Sequence, residues 1–308
     1  MRHLFASAVL ASAVLVPPAL AAPAAVSNAV PRAVVADPAR DPRHPAANRQ
    51  VLILSHGDGM NALLMLASGA GPKPTMLLLH GLPGNEQNLD LAQAIRRAGW
   101  NVLTMHYRGS WGSPGRFSLA GAFDDVEVAM DFLRRPDNAR QYGIDPARLV
   151  VAGHSMGGFL AARYAASHDD VLGAVLIDPW NVGASGKTVL AKPESRQDAI
   201  AAMGEDFGNS LAGTDAARLM SEVERHARDW DLVDAAPRLA RKPLLIVDAQ
   251  YGNAAQVAPL AAAIRSRGGP LKAVTLASDH GFADHRIALA GVTVGWLEGL
   301  KVARAKTR

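Results

Sequence analysis

Along the chain, short unbroken apolar runs alternate with longer stretches in which apolar residues recur every third or fourth position. The unbroken runs read as strands buried on both faces of a parallel sheet, and the periodic stretches read as the helices that cover it. Strands are expected at residues 75–79, 100–106, 148–152, 171–177, 243–248 and 271–276. Helices are expected at residues 89–98, 159–166 and 254–267, with Gly99 and Gly268-Gly269 as stop signals. Two more share apolar faces: one through Leu119, Ala122, Phe123, Val126, Met130 and Leu133, the other through Ile287, Ala290, Val294, Leu297 and Leu300. Ahead of all these, residues 50–55 and 61–67 flank His56-Gly57-Asp58-Gly59 and read as an antiparallel hairpin, with His56 a turn residue. The alternation lapses over residues 181–237, where Thr214-Asp215 reads as a helix cap and Leu219, Met220, Val223, Ala227 and Trp230 share one face. The charges Glu222, Glu224, Arg225, Arg228 and Asp229 sit mostly off that face and read as solvated. The fold class is therefore α/β: a mostly parallel sheet with an N-terminal antiparallel hairpin, helices on both faces and a helical lid insertion.

Composition changes this picture mainly at the ends. With 308 residues, 49% hydrophobic and 19% charged, the chain can bury one sizeable core, expected over residues 49–303. A formal net charge of +4 without a basic run gives no support for nucleic-acid binding. Arg2 and His3 precede an apolar run over residues 4–22, with Pro17-Pro18 near its end and Ala19-Leu20-Ala21 as a small-residue cleavage site. Residues 1–21 thus read as a signal peptide cut after Ala21, rather than as a stable membrane anchor, and the mature protein is expected in the periplasm or secreted. Residues 22–48 read as an extended leader and residues 304–308 as a frayed tail. The absence of cysteine excludes disulfides.

The candidate chemistry centres on Gly153-His154-Ser155-Met156-Gly157, which fits G-x-S-x-G between an expected strand and an expected helix. A serine on so sharp a turn needs positions two before and two after it nearly free of side chain, and both are glycine. A serine hydroxyl also needs a base to take its proton, and that base needs an acceptor on its other ring nitrogen. His280, after the last expected strand, is the candidate base; His285 is the rival, at the start of the final helix. For the acid, Asp248 ends the strand after the insertion and is favoured, while Asp178 ends the strand before it and is the alternative. The oxyanion that forms in acyl transfer needs two backbone N–H donors. Leu82, in the turn His80-Gly81-Leu82-Pro83-Gly84, and Met156, next to the serine, are placed to supply them. In the glycine-rich segment after the 100–106 strand, Arg108 either meets substrate or ties that loop together, and Trp111 either walls the pocket or packs. Both are carried as candidate substrate-binding residues. No histidine pair has metal-ligand spacing with a third ligand nearby, and no phosphate loop follows His80, so neither a metal nor a cofactor is expected.

The segments HGLPGNE, YRGSWGSPG, GHSMGG and DHGF, in this order, resemble the α/β-hydrolase superfamily from about residue 50 onward. The RGSWGSPG segment is similar to the prolyl-oligopeptidase and dienelactone-hydrolase-like branch. The resemblance implies an α/β-hydrolase fold with Ser155 as nucleophile, His280 as base, and Leu82 and Met156 as oxyanion donors. One departure stands out: relatives carry the acid a few residues beyond the strand, whereas Ala249-Gln250-Tyr251-Gly252-Asn253 offers no carboxylate. The expected function is that of an exported serine hydrolase acting on a small acyl substrate, an ester or an amide, through an acyl-enzyme. The alternatives are a peptidase of the same fold and a ligand-binding protein whose triad is incomplete.

Overall fold

Burial along each strand follows its place in the sheet. The computed structural model describes residues 30–205 and 207–305, so the expected signal peptide lies outside the described residues, as do the first part of the leader and the last residues of the tail. β1 (Ala47–Ser55) and β2 (Asp58–Leu66) form the hairpin, with Val51 and Ile53 buried and Leu52 and Leu54 exposed on β1. The turn is tighter than the four residues expected. Only His56 and Gly57 connect the strands, at φ 50° and 91°, and Asp58 and Gly59 already pair within β2. A two-residue turn with both φ positive matches the right-handed twist of the strands it joins.

The sheet continues through β3 (Lys73–Leu79), β4 (Asn101–Met105), β5 (Ile144–His154), β6 (Gly173–Ile177), β7 (Leu244–Ala249) and β8 (Leu271–Leu276). The eight strands lie in the order β1-β2-β4-β3-β5-β6-β7-β8, antiparallel as far as β2–β4 and parallel thereafter. β4, β6 and β7 are buried along their whole length, as a sheet covered on both faces requires. Register aligns Leu78 with Thr104 and Ala152, and His154 with Ile177. The turns that follow β3, β4, β5 and β6 therefore open along one edge, where open α/β sheets place their ligands.

The leader is folded where it is described. α1 (Arg32–Val35) is a single turn held by Arg97, whose Nε donates to Ala33 O (2.6 Å) and Nη2 to Val34 O (3.2 Å). Arg97 belongs to α2 (Leu89–Arg97), and the next helices are α3 (Leu119–Arg134), α4 (Pro136–Tyr142) and α5 (Met156–Ser167). The insertion holds α6 (Val182–Ala191), a 3-10 turn (Pro193–Ser195), α7 (Arg196–Gly204), α8 (Ala216–Arg225) and α9 (Leu232–Leu239); α10 (Ala254–Arg265) and α11 (Arg286–Ala305) close the chain. Leu91 and Ile95 of α2 and Leu289 and Val294 of α11 pack on one sheet face with Met76, Val102 and Val247. Leu133 of α3, Phe159 and Leu160 of α5 and Leu260 of α10 pack on the other, with Leu77, Val151 and Leu176.

The insertion is stitched to the segment that follows β4. Ser110 and Leu211 form an isolated antiparallel bridge, Phe117 N donates to Ala212 O (3.0 Å), and Ala212 N donates to Gly109 O (2.7 Å). One charge departs from its expected role. Glu222 is buried, not solvated: its carboxylate accepts from Leu119 N (2.9 Å) and Ala120 N (2.7 Å). Those are unpaired N–H groups at the start of α3, where a carboxylate also meets the positive end of the helix dipole.

Candidate active site

β5 runs straight into α5 with Ser155 as the single residue between them, at φ 56° and ψ −119°. Such a backbone conformation costs a non-glycine residue about 1–3 kcal/mol and persists only where its surroundings impose it. They do so here: Ser155 N donates to Ile177 O (3.0 Å), while Ser155 O accepts from Trp180 N (3.0 Å) and Phe159 N (3.1 Å). The turn also needs its flanking glycines, because a Cβ on Gly157 would lie 2.3 Å from Leu79 O. The turn after β3 passes directly over the serine, since a Cβ on Gly81 would sit 3.0 Å from Ser155 Cβ.

That turn, which carries Leu82, is braced from three sides. Tyr107 Oη donates to His80 O (3.0 Å), Trp111 Nε1 donates to Pro83 O (2.8 Å), and His80 Nδ1 bonds Gly81 O (2.8 Å). A carbonyl only accepts, so His80 carries its proton on Nδ1; burial holds its imidazole down at about 4, hence neutral at physiological pH. Met156 begins α5, and the first N–H groups of a helix have no partner within it.

His280 pairs with Asp178, not with Asp248. Its Nδ1 lies 2.5 Å from Asp178 Oδ2, and Asp178 is fully buried at φ 40° where β6 ends. The segment 249–253, which lacks a carboxylate, supplies the donors that make a buried carboxylate tolerable there. Ala249 N donates to Asp178 Oδ1 (3.0 Å) and Asn253 N donates to Asp178 Oδ2 (2.9 Å), while Asn253 Nδ2 donates to Asp178 O (3.0 Å). A side chain at Gly252 would crowd the same carboxylate, its Cβ falling 2.2 Å from Oδ2. Asp248, by contrast, stays inside β7 opposite Thr275, buried, with Oδ1 lacking a hydrogen-bond partner among the described residues. Burial pushes its carboxyl up to about 7, and the neighbouring Asp178 charge adds to the effect. An acid that must hold a positive imidazole has to stay ionised, and Asp248 is in the wrong surroundings for that. His285, the rival base, bonds Asp284 Oδ1 (2.9 Å) instead.

The model of the alpha/beta hydrolase fold family matches residues 74–285, which hold Ser155, Asp178 and His280. The chain belongs to this family. The chain is 33% identical over 93 residues to the putative esterase YheT of Escherichia coli strain K12, a match covering 29% of this chain and 26% of that protein. It is 32% identical over 110 residues to the multifunctional-autoprocessing repeats-in-toxin of Vibrio cholerae, covering 33% of this chain and 2% of the toxin. The chain thus spans only a minor part of these curated relatives. Among solved structures, Est1E from Butyrivibrio proteoclasticus superposes with a TM-score of 0.58 at 19% identity, covering 82% of this chain and 99% of that one.

In this hydrolase-fold setting the two residues from the glycine-rich segment separate. Arg108 is bound within the protein: its Nε donates to Asp125 Oδ1 (2.6 Å) and its Nη2 to Gly121 O (3.1 Å), fastening the loop to α3. Trp111 stands 40% exposed beside the Leu82 turn that it braces. His154 has a contact that its place in the elbow did not reveal. Its Nε2 bonds His280 O (2.8 Å), its ring lies 4.5 Å from the His280 ring, and burial holds it down at about 4. It is thus a neutral donor that anchors the backbone of His280. Asn253 and Gly252 were equally hidden, since nothing in their local sequence ties them to a residue on another strand. Among the described residues no group of His, Asp or Glu is arranged to hold a metal ion, and no helix is long and apolar enough to cross a membrane.

Proposed function

We propose that this chain is a serine hydrolase that cleaves a carboxylic ester through an acyl-enzyme intermediate. The observation that carries the reading is the 2.5 Å pairing of His280 Nδ1 with the buried Asp178 carboxylate, at the sheet edge where Ser155 sits in its strained turn. With its Nδ1 proton directed at Asp178, His280 keeps Nε2 free to accept the Ser155 hydroxyl proton as Oγ attacks the ester carbonyl carbon. The carbonyl π electrons move onto oxygen, and the resulting oxyanion is received by the N–H groups of Leu82 and Met156. Collapse breaks the bond to the alkoxide, which takes the proton back from His280 Nε2 and leaves as the alcohol. Water, deprotonated by the same nitrogen, then releases the acid and restores Ser155. Asp178 accepts the His280 Nδ1 hydrogen bond and stabilises the imidazolium that forms at each step.

Trp111 and the insertion over the 107–117 segment form the wall that selects the acyl substrate. A segment 249–253 without a carboxylate favours a binding-only protein, whereas the pairing of His280 with Asp178 supports the hydrolase reading. Export through residues 1–21 is part of the same proposal and rests on their sequence. A fluorophosphonate probe tests the chemistry: one-to-one labelling that Ser155→Ala abolishes is expected, and an unlabelled native protein contradicts it. A panel of acyl esters against aminoacyl amides separates esterase from peptidase, with the esters expected to turn over faster.

A further inference from the structure

Arg286 is the first residue of α11, an awkward place for a cation. Unpaired N–H groups and the positive end of the dipole favour Asp or Glu there, yet the first turn of α11 has no acidic residue. The guanidinium turns back and fills its donors elsewhere. Nη1 donates to Gly281 O (2.9 Å), Nη2 to Asn88 Oδ1 (3.0 Å) and Nε to Asp90 Oδ2 (2.8 Å), and Nη2 also meets Asp90 Oδ1. Glu86 adds a carboxylate 3.7 Å from Nη2. The acceptors come from two segments far apart in sequence. Gly281 follows His280 directly, and residues 86–90 lead out of the turn that carries Leu82 into α2. Asn88 is itself buried and held at φ 56°, so it is a fixed acceptor.

We propose that Arg286 is a positioning residue: its planar fork clamps the His280 loop to the segment leaving the oxyanion turn and so fixes the spacing between base and oxyanion donors. This assignment rests on Ser155 and His280 being nucleophile and base. The fork matters because one rigid plane serves three acceptors at once, which a lysine ammonium on a flexible stem does not reproduce. Misplacement of a catalytic group by about 1 Å costs on the order of 100-fold in rate.

The test compares wild type with Arg286→Lys, Arg286→Gln and Asp90→Asn. The readouts are the rate of fluorophosphonate labelling per folded molecule, kcat and KM for a p-nitrophenyl ester, and Tm. Both Arg286 variants are expected to label fully but about 10- to 100-fold more slowly, with kcat down by the same factor and KM within about twofold. Asp90→Asn should fall between, and the Arg286→Gln/Asp90→Asn double variant should be no slower than Arg286→Gln alone, as expected of one coupled contact. Normal wild-type labelling with unchanged variant rates per folded molecule, whatever the Tm, overturns the assignment alone. A wild type that never labels at Ser155 overturns the hydrolase reading and the assignment with it.

Discussion

Two aspartates end up on adjacent strands, and their surroundings give them opposite characters. Asp178 leaves β6 at positive φ and collects N–H donors from Ala249 and Asn253 as well as the His280 ring; Asp248 remains in β7 with an unpartnered oxygen. Asp178→Asn should therefore lower kcat by about 10⁴-fold, whereas Asp248→Asn should stay within a few-fold of wild type; ester turnover of the two variants decides, and the reverse order would exchange their roles. Asp248 makes a second, thermodynamic prediction. Burial raises its carboxyl from the ordinary 3.8 to about 7, so the folded state binds its proton more tightly. The stability it contributes is full at low pH and is lost as pH rises from about 4 through about 7. Asp248→Asn should remove that loss, gaining on the order of 2–4 kcal/mol at pH 8 relative to pH 5 in urea unfolding. An equal drop in wild type and variant would refute it. The sharp turn at Ser155 and the place of His280 after the last strand were legible because each lies in a local signature of strand, turn and small residues. The pairing of His280 with Asp178 was not, because which strand end swings toward His280 depends on a single positive-φ residue and on donors from another loop.

Helices and strands were legible wherever a local signal marks them. Ser118 caps α3 by accepting from Gly121 N (2.9 Å), and Asp215 caps α8 by accepting from Arg218 N (2.8 Å). The face read through Ala227 and Trp230 is buried as expected, although α8 stops at Arg225 and those two lie beyond it. The seam between the insertion and the 107–117 segment had no such signal, since irregular backbones about 100 residues apart pair there. Glu222 is the residue at that seam whose effect is measurable. Glu222→Ala strips two N–H groups of α3 of their acceptor and should cost about 1–3 kcal/mol, with Glu222→Gln intermediate. Denaturant unfolding checks this, and a change below about 0.5 kcal/mol in the alanine variant would return Glu222 to the solvated surface role that its spacing suggested.

At the scale of the whole molecule, a sheet whose central strands are buried on both faces holds the turns after β3, β5 and β6 and the loop after β8 in one place, and the insertion packs beside it without joining the sheet. This arrangement was readable from the alternation of unbroken and periodic apolar stretches, because a doubly covered parallel sheet imposes that alternation on any sequence. The proposed export makes its own prediction: mature protein from the periplasm or medium should begin at Ala22, and a chain that keeps Met1 would contradict it. The central claim is tested most directly by rapid mixing of a p-nitrophenyl ester with excess substrate over enzyme. An acyl-enzyme on Ser155 predicts a burst of one nitrophenolate per protein molecule, followed by slower turnover, and no burst in Ser155→Ala. A burst that survives Ser155→Ala, or hydrolysis that continues at the wild-type rate without Ser155, would contradict it.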